Sequence, residues 1–495
     1  MVSKIKKNIV SGFIGQLIIL VLGLIVPRYF IKSYGSDVNG LLGTITQIFT
    51  YMALLEAGIG QAAKNLLYEP FQKNDKQKIS EISSIAKTYF RKFTLIYAIG
   101  VILLSFILPI ALKTTVKYET IVIIVLLEGM SSVISFYYIE TPSIIMNVDG
   151  KNYINNLIGV FNKIIVYLFK IIMAAFGLNI ILLQIVSFII TIFKVFFYYV
   201  YFKKEYRWIK FKKPKGKLKL KDRNAYILTE IASTIFNSTD MIVLSFFIST
   251  KLSSVYGIYS MIYTNISLLL NSIYFSVIYV LGYAYHESII RYQKLHDSFT
   301  SIFLGLVTIF MSVCYVLTIP FVSLYTNGIT DTNYIYEQLP LMFCLIQMLS
   351  WSRYVSGNLT GVAGYAKQTS YISIVEALIN ISLSIILSYK YGIIGVTLAT
   401  VIALPIKVIW CTYIADKKVM KRSYKKSISI IGVNFIFFFS IVLLSNLYKP
   451  QITIYMQFII WGIFLTLLFG VINIILNFKV NKNCWHVIKK YIFKR

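Results

Sequence analysis

Apolar residues along this chain collect in runs of about 20, bounded by lysine, arginine or turn residues. That is the length at which a helix rising 1.5 Å per residue crosses a hydrocarbon core of about 30 Å. The pattern predicts fourteen spans, over 8–31, 39–63, 93–112, 120–146, 154–176, 180–202, 224–248, 256–283, 299–325, 338–363, 370–389, 393–415, 428–447 and 453–478. The second is rich in glycine and the seventh is speckled with polar residues, so these two carry the least apolar signal. The first follows Lys4, Lys6 and Lys7 as a signal peptide would, but its apolar run is long, is broken by Gly12, Gly15, Gly23 and Pro27, and lacks a small-residue exit. It is expected to be a retained helix.

Composition agrees with the pattern. Of 495 residues, 57% are hydrophobic and only 14% charged, against about 25% charged in soluble domains. This excludes an ordinary soluble enzyme. A net charge of +30 would suggest nucleic acid in a soluble chain; here it is read by membrane side, because cytoplasmic loops hold the excess of Lys and Arg. With the N-terminus inside, 37 of the 49 Lys and Arg fall in inside segments and 7 in outside ones, so both termini are expected to be cytoplasmic. The run from Lys212 to Lys221 lies midway along the chain and reads as a topology anchor and linker, or as a contact for anionic lipid. It has no aromatic interleaving, so no nucleic-acid partner is expected. Cys314, Cys344, Cys411 and Cys484 are far apart, as are His286, His296 and His486, and no metal site or cofactor is expected. Ile79, Ile82, Ile85 and Ala86 among lysines and serines suggest an amphipathic helix on the cytoplasmic surface, or a loop packed on the bundle.

The two halves resemble each other. Asp37-Val38-Asn39-Gly40 before span 2 is echoed by Ser254-Val255-Tyr256-Gly257 before span 8, and Asp149-Gly150 with Gly177 by Ala363-Gly364 with Gly392, at intervals of 214 to 217 residues. The expected architecture is an all-α integral membrane protein of fourteen transmembrane helices. Two six-helix lobes, related by a pseudo-two-fold along the membrane normal, are followed by two C-terminal helices. The expected divisions are 1–202 (first lobe), 203–223 (basic linker), 224–415 (second lobe) and 416–495 (appended helices and basic tail).

Arg28 after Pro27, Tyr34-Gly35 with Gly40, Gly58 and Gly60, and the stretch through Gly361, Gly364, Lys367, Glu376, Asn380, Gly392, Gly395 and Ala399 resemble the polysaccharide-repeat flippases of the multidrug/oligosaccharidyl-lipid/polysaccharide exporter superfamily, over essentially the whole chain. The resemblance implies a bacterial inner-membrane protein. Its implied substrate is an undecaprenyl-pyrophosphate-linked oligosaccharide, carried from the cytoplasmic to the outer leaflet by alternating access. Membrane lipids and a glycan polymerase of the same pathway are the implied partners.

A charge at mid-bilayer costs roughly 3 kcal/mol, so ionisable groups inside spans are functional candidates. Asn156, Lys163 and Lys170 recur every seven residues on span 5 and, with Lys194 of span 6, read as a cationic wall for pyrophosphate or as partners of Glu128 or Glu140. Arg28 and Arg353 are candidate phosphate grips, since guanidinium binds bidentately. Glu230, Asn237 and Asp240 share a polar face of span 7, with the acids reading as ion-coupling groups or as partners of Arg353 or Lys407. Glu376 with Asn380 forms a matching face on span 11, Glu376 being a third coupling candidate and Asn380 a cavity-lining one. Two other readings stay open: an ion-coupled multidrug or cation antiporter, and a lipid II flippase. A glycan polymerase or ligase would need a long catalytic outward loop, and no Walker A motif is present, so the chain is not expected to be an enzyme.

Overall fold

The structure, a computed structural model, describes residues 2–211, 234, 238–447 and 450–484. The described residues are helical almost throughout: α1 (Val2–Gln72), α2 (Lys76–Ala111), α3 (Tyr118–Tyr138), α4 (Glu140–Val148), α5 (Asn152–Ala175), α6 (Ile180–Glu205), α7 (Ser238–Phe247), α8 (Thr250–Glu287), α9 (Ile289–Tyr325), α10 (Leu339–Ser352), α11 (Tyr354–Val362), α12 (Ala366–Tyr413), α13 (Lys425–Ser445) and α14 (Tyr455–Val480). Nine helices among the described residues are long and apolar enough to cross a membrane. The chain is an all-helical integral membrane protein.

Where the helices depart from the expected spans, backbone chemistry explains it. Spans 1 and 2 join in α1, where Gly35 (φ 84°, ψ 166°) takes a conformation open to glycine and turns the chain between them. Spans 11 and 12 join in α12 in the same way at Gly392 (φ 57°, ψ −132°). Spans 4 and 10 are each interrupted, at Ile139 and at Arg353. The apolar count registers length and misses these bends.

Contacts divide the chain into Met1–Ser254 and Val255–Arg495. The first unit has a core of Leu41, Ile45, Val101, Ile121, Ile124 and Val125, into which Gly129 fits closely against Val101. The expected second lobe began at 224, but α7 packs with the first unit. Gly40 and Gly43 of α1 leave room for the backbone at Thr250 and the side chain of Met241. Buried Asp37 accepts hydrogen bonds from Thr114 Oγ1 (3.1 Å), from the Thr115 amide (2.6 Å) and hydroxyl, and from the Thr250 hydroxyl.

The segment read either as an amphipathic surface helix or as a loop packed on the bundle is helical and packed. Residues from Lys76 onward start α2, and Ile79, Ile82, Ser83, Ser84, Ile85, Ala86 and Phe90 are all buried. Tyr206 and Ile209, in the segment after α6, share the buried cluster of Ile79, Ile82, Ala86 and Phe90, while Lys76 lies 5.7 Å from the Trp208 ring and Lys87 lies 3.9 Å from that of Phe211. Tyr206 donates to Asp149 Oδ2 at 2.7 Å, and Lys151 bridges Asp149 (3.0 Å) and Glu205 (2.6 Å). Burial alone would lower the Lys151 pKa, but the carboxylates of Glu205 and Asp149 outweigh it and raise it. The Lys212–Lys221 linker lies outside the described residues.

The second unit is built around α9, which is buried along most of its length and packs α10 on one side and α13 and α14 on another. Tyr263 stacks on Phe343 at 5.2 Å and shares a hydrogen bond with Thr318 of α9 at 3.1 Å. The appended hairpin is held by amides: Asn434 donates to Asn477 (3.1 Å), Asn477 and Asn473 donate back to Asn434 (3.2 and 3.3 Å), and Gly305 of α9 admits the Asn473 side chain. Helix-to-helix amide bonds in membranes are worth roughly 0.6 to 1.7 kcal/mol each. Asn477→Leu should therefore destabilise the purified protein by roughly 1–2 kcal/mol in detergent unfolding; an unchanged midpoint would show that apolar packing alone carries the hairpin. Cys314, Cys344, Cys411 and Cys484 are free and buried.

Candidate functional site

In the first unit, α5 lies along the first half of α1. Ser33 donates to the Ala174 carbonyl at 2.6 Å and the Tyr34 hydroxyl to that of Leu178 at 2.7 Å, fixing the helices where Phe30, Met173, Ala174 and Leu183 are buried together. Arg28 is partly exposed on this stretch of α1, and Lys170 sits 5.6 Å from the Phe30 ring. Lys163, near the middle of α5, is exposed; Asn156, Glu128, Glu140 and Lys194 are half-buried. Lys194 lies within electrostatic reach of Glu140 and Lys163. A lysine exposed halfway along a spanning helix needs water, because the acyl chains offer its ammonium no partner.

In the second unit, Arg353 Nη1 donates to Glu376 Oε1 at 2.5 Å and Lys407 Nζ stands 3.9 Å from Glu376 Oε2. The carboxylate side chain is 2% exposed, while Arg353 and Lys407 are 14% and 21% exposed, so the acid lies behind its bases. Both bases reach Glu376 of their own unit. In the first unit Asp240 is buried beside Tyr51, whose hydroxyl lies 2.5 Å from Thr239 Oγ1. Glu230 and Asn237 lie outside the described residues. Asn380 is buried one turn from Glu376; its amide donates to Thr400 at 2.8 Å, and its Oδ1 and the Ser384 hydroxyl are buried without a hydrogen-bond partner. A cavity of about 270 Å³ lies elsewhere, lined by Tyr315 and Pro320 of α9, Glu337 and Ser445, and includes none of these residues.

Two polar constellations lie outside the sequence expectations. One is the Asp37 network. The other is Arg422, which grips Asp297 with Nη1 (2.8 Å) and Nη2 (2.6 Å) and Asp416 with Nε (2.7 Å), beside a π-helical turn over Ile414–Val419. His296, itself buried, joins Asp297 to Ser356 at 3.2 Å each. Asp37 stood in the sequence only as part of a repeated motif, and no sequence signal singled out Arg422.

Comparison of the fold with solved structures gives consistent matches. The lipid II flippase MurJ in an inward closed conformation is 18% identical, with a TM-score of 0.64 over 94% of this chain and 98% of that one. An inward-facing MATE family multidrug resistance transporter of the MOP superfamily is 12% identical, with a TM-score of 0.66 over 82% of this chain and 98% of that one. The all-helical fold of this chain is similar to the folds of these two proteins. The MATE multidrug transporter DinF-BH, solved in complex with a small molecule, agrees at 17% identity and a TM-score of 0.59 over 85% of this chain and 97% of that one. No protein-family model and no curated protein matches the sequence.

Proposed function

We propose that this chain is a flippase for undecaprenyl-pyrophosphate-linked oligosaccharide repeat units, moving them from the cytoplasmic to the outer leaflet of the bacterial inner membrane by alternating access. Both termini are then cytoplasmic. The observation that carries the reading is Lys163, exposed near the middle of a membrane-spanning helix, with the half-buried Lys194 within electrostatic reach. Ammonium groups facing water in a low-dielectric surround suit an anionic head group and repel an organic cation. Arg353 and Lys407 add a second pair of bases around one carboxylate. The sequence resemblance to polysaccharide-repeat flippases supplies the carrier lipid and the sugar chain.

A lipid II flippase is the neighbouring reading, favoured by the larger share of this chain that MurJ covers than the multidrug transporters do. The test is translocation in proteoliposomes of a fluorescent undecaprenyl-pyrophosphate oligosaccharide, of lipid II and of a cationic rhodamine dye. Wild type should move the oligosaccharide lipid, and Lys163→Gln should slow it at least about tenfold, as loss of one charge-assisted contact of about 1.4 kcal/mol or more requires. Movement of the dye alone would overturn the proposal; preference for lipid II would replace the sugar and keep the mechanism.

A further inference from the structure

In the first unit, α2 holds Lys87, Arg91 and Lys92 within two turns, with no acid between them. From Arg91 to Ala111, where α2 ends, the helix rises about 30 Å, the thickness of a hydrocarbon core. Within that length Leu95, Ile96, Ile99, Leu103, Phe106 and Ile110 are exposed and form an apolar stripe for the acyl chains. Lys92 prolongs the stripe one turn before Ile96, and Arg91 stands one turn before Leu95; both are exposed. Lys87, another turn back, is half-buried.

The surroundings of these bases are aromatic. α3 runs beside α2 to the same level: Phe136 meets Phe93 at 6.0 Å and Tyr97 at 5.0 Å, and the next ring, Tyr137, lies 4.8 Å from the Arg91 guanidinium. Phe211, 3.9 Å from the Lys87 ammonium, is held in a column of rings. It stacks on Phe202 at 6.1 Å, Phe202 stacks on Tyr206 at 5.1 Å, and the Tyr206 hydroxyl donates to Asp149. Among the described residues none of the three bases forms an ion pair, and the charge acting on Lys87 is that of another cation, Arg91. A ring face attracts a cation without neutralising it, so the N–H groups remain open to an anion.

We propose that Lys87, Arg91 and Lys92 seat the phosphodiester head group of an anionic glycerophospholipid whose chains lie along Leu95, Ile96 and Ile99. Charge and depth both select this occupant. The bases offer a guanidinium fork and two ammonium groups at the level where head groups lie, and the stripe that continues from them suits acyl chains, for which a soluble anion has no use. The orientation proposed above makes this the cytoplasmic leaflet. The seat itself depends only on where α2 leaves the bilayer.

The experiment titrates phosphatidylglycerol into the full-length protein in neutral detergent micelles containing phosphatidylcholine and reads bound lipid by native mass spectrometry. Wild type should retain phosphatidylglycerol in preference to phosphatidylcholine. Lys87→Gln with Arg91→Gln and Lys92→Gln should weaken that retention at least about tenfold, with helicity unchanged by circular dichroism. Lys417→Gln with Lys418→Gln and Lys425→Gln removes the same charge from exposed bases of the second unit and should leave it unchanged. Glycerophosphoglycerol, the head group without chains, should displace nothing at the lipid's own concentration. Equal retention of the two lipids, equal effects of the two triple variants, or displacement by the free head group would overturn the seat. Tighter retention of undecaprenyl monophosphate than of phosphatidylglycerol would assign these bases to the transported lipid and overturn it too. Selective, base-dependent retention in a protein that moves no oligosaccharide lipid would keep the seat and overturn the flippase; transport without selective retention would do the reverse.

Discussion

Arg422→Ala should lower the unfolding free energy of the purified protein by about 3–5 kcal/mol, the cost of leaving buried carboxylates without their cation. Asp416 is completely buried and Asp297 nearly so, and the guanidinium spends three of its N–H groups on them. Its Nη2 also lies 3.5 Å from Ser427, near the start of α13, so the same side chain ties α9, the π-helical turn and the appended hairpin. Arg422→Lys should recover little, because an ammonium cannot supply the fork that meets both Asp297 oxygens. Asp297→Asn introduced with Arg422→Ala should recover part of the loss by removing one stranded charge. Chemical unfolding in detergent, followed by circular dichroism, reads all three; a midpoint for Arg422→Ala equal to wild type would refute the account.

Gly40→Val is expected to be about as damaging, for a steric reason. A Cβ at Gly40 would stand 1.7 Å from the Thr250 carbonyl oxygen, 2.7 Å from its carbon and 2.9 Å from the Ser254 nitrogen. All three atoms are backbone, and that backbone is held by the Thr250 amide bonded to the Lys113 carbonyl (3.0 Å), the Lys113 amide bonded to that of Ser245 (2.9 Å) and the Thr250 hydroxyl on Asp37. Overpacking usually costs about 1–3 kcal/mol, and a clash against a pinned turn falls at or above that range. Gly43→Ala is the control, because its Cβ would meet only the end of the flexible Met241 side chain at 2.4 Å. It should cost under about 1.5 kcal/mol. Equal stability of the two variants would show that the Thr250 turn yields.

The spans were legible because a membrane-crossing helix writes itself as a long apolar run, and α2, α5, α6, α13 and α14 answer to their runs directly. The bends at Gly35 and Gly392 were less so, since glycine is common in membrane helices and only the backbone shows which one turns. Among the candidate site residues, Lys163 and Lys170 lie on the one helix that their spacing required. That Arg353 and Lys407 both reach Glu376 was not legible, because pairing depends on how helices rotate against one another, which a hydropathy pattern does not encode. Ile79 to Ala86 read as a surface helix or a packed loop because lysines and serines alternate with apolar residues there. Their buried cluster draws in Tyr206 and Ile209, over a hundred residues away.

The four free cysteines offer a practical advantage. With every native thiol buried in the folded chain, a soluble maleimide finds almost nothing to label, so a single cysteine placed at Lys163 or Lys407 would report the solvent access of that position in the resting protein without first stripping the protein of its natural ones.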